Sequence, residues 1–306
     1  MLRAVLPAPV AKWLKYHLEF RGDRRLYSRY SGPDDNGASP QVSHRNLEMQ
    51  ITKDYHRIEK GLALPTPKRP FGLEVLARVD RLLPSAAAAL PDAPFVQHAT
   101  SARTALVEWN SASVIDADVA PTATTDDRGI SDPRAFFASR HSVRNYSTKE
   151  VPQETLEEAV ELAINTPSVC NRQPWHVRFY RERDEIETAL SFQNGNAGFR
   201  HTIPVVALVT VDRAMFAGAN ERNQVFIDGG LFSMSLVWAL HSLGLDSCML
   251  NMSQPHSRMR ALRAKLSIPE SEAVVMFISI GYPAEGYRVA RSPRRAVSEV
   301  VRPSHQ

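Results

Sequence analysis

The sequence predicts an α+β protein in which helices flank a mixed central β-sheet, with a helical segment in front. Two runs rich in β-branched residues, Val205–Val211 and Ala273–Ile280, are typical of buried strands. Between them, Asp228–Leu243 is apolar almost all round and is followed by Gly244, as expected for a buried helix with a C-terminal cap. Helices therefore pack on a sheet in this half of the chain, although these patterns leave the strand order open.

The first part of the chain predicts helices. From Leu47 to Leu62 the apolar residues recur every three or four positions, which is helical spacing. Three other segments predict amphipathic helices: Ala11–Phe20, Leu73–Leu83 and Phe95–Trp109. Residues 111–130 are small, acidic and interrupted by proline, a composition that suits a linker. We therefore predict a helical extension and linker over residues 1–130 and a second domain over residues 131–306.

Two shorter elements belong to the predicted second domain. Apolar residues from Leu156 to Ile164 form one helical stripe, and Pro152 stands near its first turn. His176–Arg181 is a candidate for a short strand. These elements extend the pattern of helices packed on a sheet.

Composition argues against several classes of protein. The 306 residues are 43% hydrophobic, which is enough for a large core. No stretch approaches the roughly 18 uninterrupted apolar residues of a membrane span. Lys12 and Lys15 interrupt the N-terminal apolar residues, so a secretory signal is not expected. Only two cysteines, Cys170 and Cys248, are present, which argues against a disulfide framework or a cysteine-only zinc site. We expect a cytoplasmic protein.

The charge is mildly basic, with a formal net charge of +4. The basic residues are spread along the chain, which favours a solvated surface and, next to that, a site for a small anionic ligand. No helix-turn-helix or zinc-finger spacing is present, so we expect no nucleic-acid partner and no membrane partner. Binding to nucleic acid or a membrane surface through the basic N-terminal part stays an alternative.

The first motif is the segment Arg140-His141-Ser142-Val143-Arg144. In extended backbone, alternate side chains point to one side, so two guanidinium groups and one hydroxyl can converge on a phosphate. His141 belongs to the predicted site by position, although alternation directs it to the opposite side, which favours packing. By itself the pattern is weak in a chain with 37 lysines and arginines, where an exposed basic loop is the alternative.

The second motif is the segment PSVCNRQPW at residues 167–175, directly after the predicted helix that ends near Ile164. Amide side chains such as Asn171 and Gln173 can both donate and accept hydrogen bonds, which suits the polar edge of a flavin ring. For the Gln-Pro-Trp part alone, a capped turn with a buried tryptophan is the alternative.

Together the two motifs resemble the opening signature of the nitroreductase family. Three later segments resemble family segments in the same order: Gly195–Phe199, Leu243–Asn251, and Gly281–Pro283 followed by Arg291–Arg295. The resemblance covers roughly residues 131–301. In front of it, Tyr55–Leu62 and the following Phe71-Gly72 resemble a subset of the family found with polysaccharide-biosynthesis genes. The resemblance implies a nitroreductase-like sheet and a homodimer with FMN sites at the subunit interface.

The resemblance also implies which residues bind FMN. Arg140, Ser142 and Arg144 would hold the phosphate and ribityl chain, and Arg294, with Arg291 beside it, would close the phosphate site. The partner subunit would supply three polar side chains: Ser168, Asn171 and Gln173. Around the ring, the implied contacts are these: Asn196 at the polar edge, with Leu250 and Asn251 running past the ring.

The implied activity is that of an oxidoreductase in which FMN carries the chemistry. NADH or NADPH would give a hydride to FMN, and a small organic acceptor would then take it by a ping-pong mechanism. Neither a metal nor a catalytic protein side chain is needed. Two alternatives stay open: an FMN-dependent dehydrogenase or oxidase acting on a polysaccharide-pathway or peptide intermediate, and a flavin-binding protein without catalysis.

Overall fold

A four-stranded sheet lies at the centre of the second half of the chain. The computed structural model describes residues 7–33, 43–122, 130–290 and 292–304. Its strands are β1 (Trp175–Tyr180), β2 (Val205–Asp212), β3 (Asp246–Asn251) and β4 (Glu272–Gly281). The strand order is β1-β2-β4-β3, and each neighbouring pair is antiparallel. Parallel pairing occurs in isolated bridges such as Ser142–Ser247. The predicted α+β class is confirmed.

The two strands predicted from β-branched runs occupy the middle of the sheet. Every residue of β2 is buried, because β1 and β4 pair with its two edges and helices cover both faces. The predicted strands over Val205–Val211 and Ala273–Ile280 are therefore confirmed within one residue at each end. β1 begins one residue before the predicted His176 and ends at Tyr180.

The described residues also contain ten α-helices. Their bounds are α1 (Ala8–Tyr30), α2 (His44–Leu62), α3 (Leu73–Ala89), α4 (Pro94–Ala112), α5 (Pro133–Ser139), α6 (Gln153–Ala163), α7 (Arg183–Leu190), α8 (Gln224–Ser242), α9 (His256–Leu266) and α10 (Val297–Val300). The predicted helix over Leu47–Leu62 is confirmed as α2, which begins where the Ser43 hydroxyl accepts a hydrogen bond from the Asn46 amide at 3.2 Å. The helix predicted over Ala11–Phe20 is too short, since α1 continues to Tyr30.

Helix α8 is the main element on one face of the sheet. Its Phe232 ring stacks on Trp175 at the start of β1, with ring centroids 4.9 Å apart. Leu236 and Leu240 point into the same core, while α7 and α9 cover the opposite face. Ala219–Ser242 is long and apolar enough for a membrane span by length and composition, yet half of its apolar window is buried in this core. The buried helix of a globular core passes the same test.

The N-terminal helices α2, α3 and α4 share a hydrophobic core of their own, centred on residues such as Ile51, Val79 and Leu106. Helix α2 also packs against residues 169–171 of the second motif and against residues 213–215 after β2. The N-terminal part therefore lies directly against one of the segments predicted to bind the cofactor. The division into domains at residue 130 stays a prediction.

Two adjacent glycines on α8 allow a matched test of how closely this helix approaches the sheet. A Cβ atom on Gly229 would lie 2.6 Å from Val275 Cγ2 and 2.9 Å from Val211 Cγ2, whereas one on Gly230 would meet nothing within 4 Å. We expect Gly229→Ala to lower the free energy of unfolding by about 1–3 kcal/mol through overpacking. Gly230→Ala should raise it by up to about 1 kcal/mol through helix propensity. Urea denaturation of both variants checks this, and equal effects would contradict the close approach.

Candidate functional site

The first motif runs beside the start of edge strand β3. The Val143 amide donates to the Ser247 carbonyl at 3.1 Å, and Ser142 forms a parallel bridge with Ser247. Val143 is completely buried, which fixes the segment to the core, while Arg140 is half-buried and Arg144 is exposed. One nonpolar anchor thus holds the flanking arginines at the sheet edge.

The end of β4 closes against the residues that follow the first motif. The Ser147 amide donates to the Tyr282 carbonyl at 2.9 Å, and the Ala284 amide donates to the Asn145 carbonyl at 3.1 Å. Between these bonds, the buried Tyr146 hydroxyl lies 2.8 Å from the Ser279 hydroxyl. The Gly281-Tyr282-Pro283 segment and the first motif, far apart in sequence, are therefore neighbours in space.

The arginines of the first motif are free of carboxylates in the described residues. Neither Arg140 nor Arg144 has an Asp or Glu oxygen within 4.0 Å there, and the Arg140 guanidinium lies 5.8 Å from the centre of the Trp238 ring. Burial raises the pKa of the nearby Asp246, and the positive charges of His241, His141 and Arg140 oppose that rise. Two unpaired guanidinium groups next to the Ser142 hydroxyl can bind an oxyanion.

The second motif forms a tight turn over Val169–Asn171 with an unusual backbone. Cys170, Asn171 and Gln173 have φ values of 50°, 52° and 48°, in the left-handed region that non-glycine residues rarely adopt. The turn is held to α8 by the Val169 amide, which donates to Asp228 Oδ2 at 3.2 Å. Strained backbone of this kind persists only where surrounding contacts enforce it.

A second anchor of this turn is Arg172, which the sequence analysis did not select. Its side chain is fully buried and forms two bonds of 2.7 Å to the Glu221 carboxylate and one of 2.8 Å to the Met215 carbonyl. Its neighbours Asn171 and Gln173 point away from this anchor and are more exposed. The sequence does show a basic residue between the amide side chains of Asn171 and Gln173, but a local pattern does not identify the carboxylate that it pairs with.

The two motifs lie at opposite edges of the sheet. The first pairs with β3, and the second leads into β1, so three strand spacings, about 14 Å, separate them. The two motifs also lie against different parts of α8. The second motif contacts Asp228, whereas Ser139, just before the first motif, bonds to His241 at 2.8 Å. These two helix positions lie about 20 Å apart at about 1.5 Å per residue. Within one chain the two motifs are therefore well separated.

Asn196, which is predicted to face the polar edge of the flavin, forms its side-chain hydrogen bonds within the chain. Its side chain is 0% exposed, and its amide nitrogen donates to the carbonyls of Leu190 and Gln193 at 3.0 and 2.8 Å. Its amide oxygen accepts from Arg200 Nε at 2.6 Å. Because these bonds engage the side-chain amide, Asn196 holds the turn over residues 190–200, and its contact with a flavin stays a prediction.

The remaining predicted residues differ in their surroundings. Leu250 is buried in the core of the sheet, while Asn251 at the end of β3 is exposed, and its carbonyl accepts from Gln193 Nε2 at 3.2 Å. Arg294 is exposed and donates to the Ser292 carbonyl at 2.7 Å. In the described part of the chain, no hydrogen bond or ion pair joins Arg294 to the first motif. Arg291 lies outside the described residues.

Comparison with known proteins points to one family. The sequence model of the nitroreductase family matches residues 137–191 and 178–282. A Methanothermobacter thermautotrophicus protein with the provisional name NADH dehydrogenase/NAD(P)H nitroreductase is 30% identical over 149 residues, covering 48% of this chain and 75% of that protein. Nitroreductase NfnB of Mycolicibacterium smegmatis is 25% identical over 229 residues, covering 60% and 96%. The solved structure of an FMN-dependent nitroreductase from Clostridium difficile is 22% identical, covers 52% and 91%, and has a TM-score of 0.44.

Proposed function

The chain belongs to the nitroreductase family of oxidoreductases, and we propose on this basis that it binds FMN and transfers hydride from NAD(P)H to a small organic acceptor. The observation that carries the proposal is the pair Arg140 and Arg144, unpaired with carboxylates in the described residues and placed beside the edge of β3. The names of relatives, which include NADH dehydrogenase and NAD(P)H nitroreductase, support a nicotinamide donor.

The residues at this edge fit the phosphate end of FMN. Two guanidinium forks supply directed donors for phosphate oxygens, and the Ser142 hydroxyl between them supplies a third. The buried Val143 fixes the backbone of this segment at the edge of β3 and so places both arginines there. When bound, FMN would supply hydride transfer between a nicotinamide and the acceptor, in the alternating order of a ping-pong reaction.

We further propose that two chains complete each site in a homodimer. The separation of the two motifs within one chain supports this, since Ser168, Asn171 and Gln173 lie at the sheet edge opposite the first motif. Phe226, Ile227 and Leu231 on α8 are 55%, 50% and 44% exposed, which leaves an apolar surface for a second copy. A cytoplasmic location is a prediction from the sequence alone, and an FMN-dependent dehydrogenase or oxidase acting on a polysaccharide-pathway or peptide intermediate stays an alternative.

Subunit mixing tests the shared site. One variant carries Arg140→Ala and Arg144→Ala, and the other carries Asn171→Ala and Gln173→Ala. We expect each alone to retain little flavin, whereas random mixing restores about a quarter of the sites, because half of the dimers then hold one intact site. A mixture that stays as flavin-poor as its components would contradict a site built by two chains.

The activity itself is tested by absorption spectroscopy of the purified protein. We expect a flavin spectrum that moves into the supernatant after heat denaturation and bleaches when NADH or NADPH is added without oxygen. Parallel lines in double-reciprocal plots of the initial rate, with the nicotinamide varied at several fixed concentrations of a nitroaromatic acceptor, would support the ping-pong order. A flavin that neither nicotinamide bleaches would favour the non-catalytic alternative.

A further inference from the structure

A cavity of about 380 Å³ opens beyond the C-terminal end of β3. It lies between α1 of the N-terminal extension, the start of α9, and residues 252–255, which follow Asn251. Its walls combine apolar groups, such as Leu26, Phe226 and Met259, with charged ones. The volume suits one small organic molecule.

Two buried arginines line this cavity. Arg213 and Arg263 are 7% and 9% exposed, and both donate to backbone carbonyls: those of Glu270 and Ser271 for Arg213, and that of Glu272 for Arg263. Arg263 Nε is buried without a hydrogen-bond partner. In the described part of the chain, neither guanidinium has a carboxylate oxygen within 4.0 Å.

Buried cations without a counter-ion are costly, and their pKa values show this cost. Burial, together with the neighbouring positive charge of Arg263, lowers the pKa of Arg213 to about 10. Burial also lowers the pKa of Arg263. An anion bound beside the two guanidinium groups would offset this penalty.

Two carboxylates, those of Glu19 and Asp23, also line the cavity, and both contact the first residue of α9. Glu19 Oε2 accepts a hydrogen bond from the His256 backbone amide at 2.9 Å, and Asp23 Oδ1 lies 3.2 Å from His256 Nε2. These contacts fix α1 to the first turn of α9. Lys15, one helical turn before Glu19, adds a further positive charge to the lining. Three cationic side chains and two carboxylates line the cavity, so the formal charge of its lining is positive by one.

We propose that this cavity binds the carboxylate or phosphate group of the acceptor, so that the chain acts on anionic organic acceptors. That the bound anion is the acceptor rests on the function proposed above, whereas the binding of an anion does not. The cavity begins directly after Leu250 and Asn251, the residues expected to run past the flavin ring, and so lies next to the predicted flavin site. The apolar wall accommodates the body of such a molecule.

A matched pair of acceptors tests this proposal. 4-Nitrobenzoate and the neutral 4-nitrobenzamide differ in the charge opposite the nitro group. We expect kcat/KM to be at least about tenfold higher for the carboxylate, mainly through KM, because a charge-assisted bond is absent for the amide. Arg213→Gln should abolish this preference, Lys15→Met should reduce it, and Lys12→Met on the exposed side of α1 should leave it intact. Thermal denaturation identifies any variant that fails to fold.

Calorimetry with benzoate, which cannot be reduced, separates the two proposals. Benzoate binding that weakens at least about tenfold in Arg213→Gln supports the anion site even if neither nitro compound is reduced. Equal kcat/KM values for the two acceptors, together with no benzoate binding, would overturn the inference while leaving the flavin activity standing. A rise in KM for NADPH in the variants, with the acceptor preference unchanged, would also overturn it by assigning the cavity to the phosphates of the donor.

Discussion

Replacing Arg140 and Arg144 together with alanine should reduce FMN affinity at least about 100-fold, since two charge-assisted contacts to one phosphate are lost. The fold should survive, since Val143 supplies the buried anchor and both arginines lie at the surface or near it. Flavin retained through gel filtration, and titration of the stripped protein with FMN, measure the effect.

Arg134→Ala is the matched control for this experiment. Arg134 is exposed on α5, a few residues before the first motif, and removing it changes the net charge by one unit without touching the predicted phosphate site. We expect its FMN affinity to stay within about twofold of the wild type, in line with other surface substitutions. Wild-type flavin content in the double variant would place the phosphate elsewhere in the protein.

Replacing Glu221 with alanine should destabilise the protein by about 3 kcal/mol or more. The change leaves the fully buried Arg172 guanidinium without its bidentate partner, and breaking one side of a buried ion pair is more costly than removing both. Lys53, which is also buried nearby, adds a like charge. Chemical denaturation measures the loss, and Glu285→Ala, at an exposed position, should change stability by less than about 0.5 kcal/mol.

Two further variants distinguish an ion-pair effect from a packing effect. Arg172→Met combined with Glu221→Ala should recover part of the stability, because no unpaired buried charge remains. Burial raises the pKa of Glu221, but the bonds from Arg172 and the Ala217 amide outweigh it and lower the pKa below its ordinary value of 4.5. The pair therefore stabilises the fold above pH 4.5 and loses its contribution as the pH falls below that value. Glu221→Gln should flatten this part of the pH profile, and an unchanged profile would contradict the assignment.

The sequence alone determined the elements whose signals are local. β2 and β4 are read from β-branched runs because a strand buried on both faces needs apolar residues at every position. Helix α2 follows from the spacing of its apolar residues, whereas its cap at Ser43 was seen only in the structure. The polar helices α7 and α9 escaped prediction, since α9 carries basic residues over much of its length and only part of it is buried. The order of the motifs along the chain was sufficient to identify the family, because that order does not depend on tertiary contacts.

Only the tertiary structure decided which polar groups are free and which are already bonded. In sequence, Asn196 and Arg172 look as available as Asn171 and Gln173, yet the first two are buried and bonded within the chain. Their partners, such as Glu221, lie on other elements, and a local pattern contains no information about such pairings. The placement of the two motifs at opposite sheet edges, and of Arg213 and Arg263 around one cavity, likewise follows from strand order and helix packing. Strand order and helix packing depend on burial across the whole chain. A hydrophobic face in the sequence shows that the face will be covered, but it does not show which element covers it.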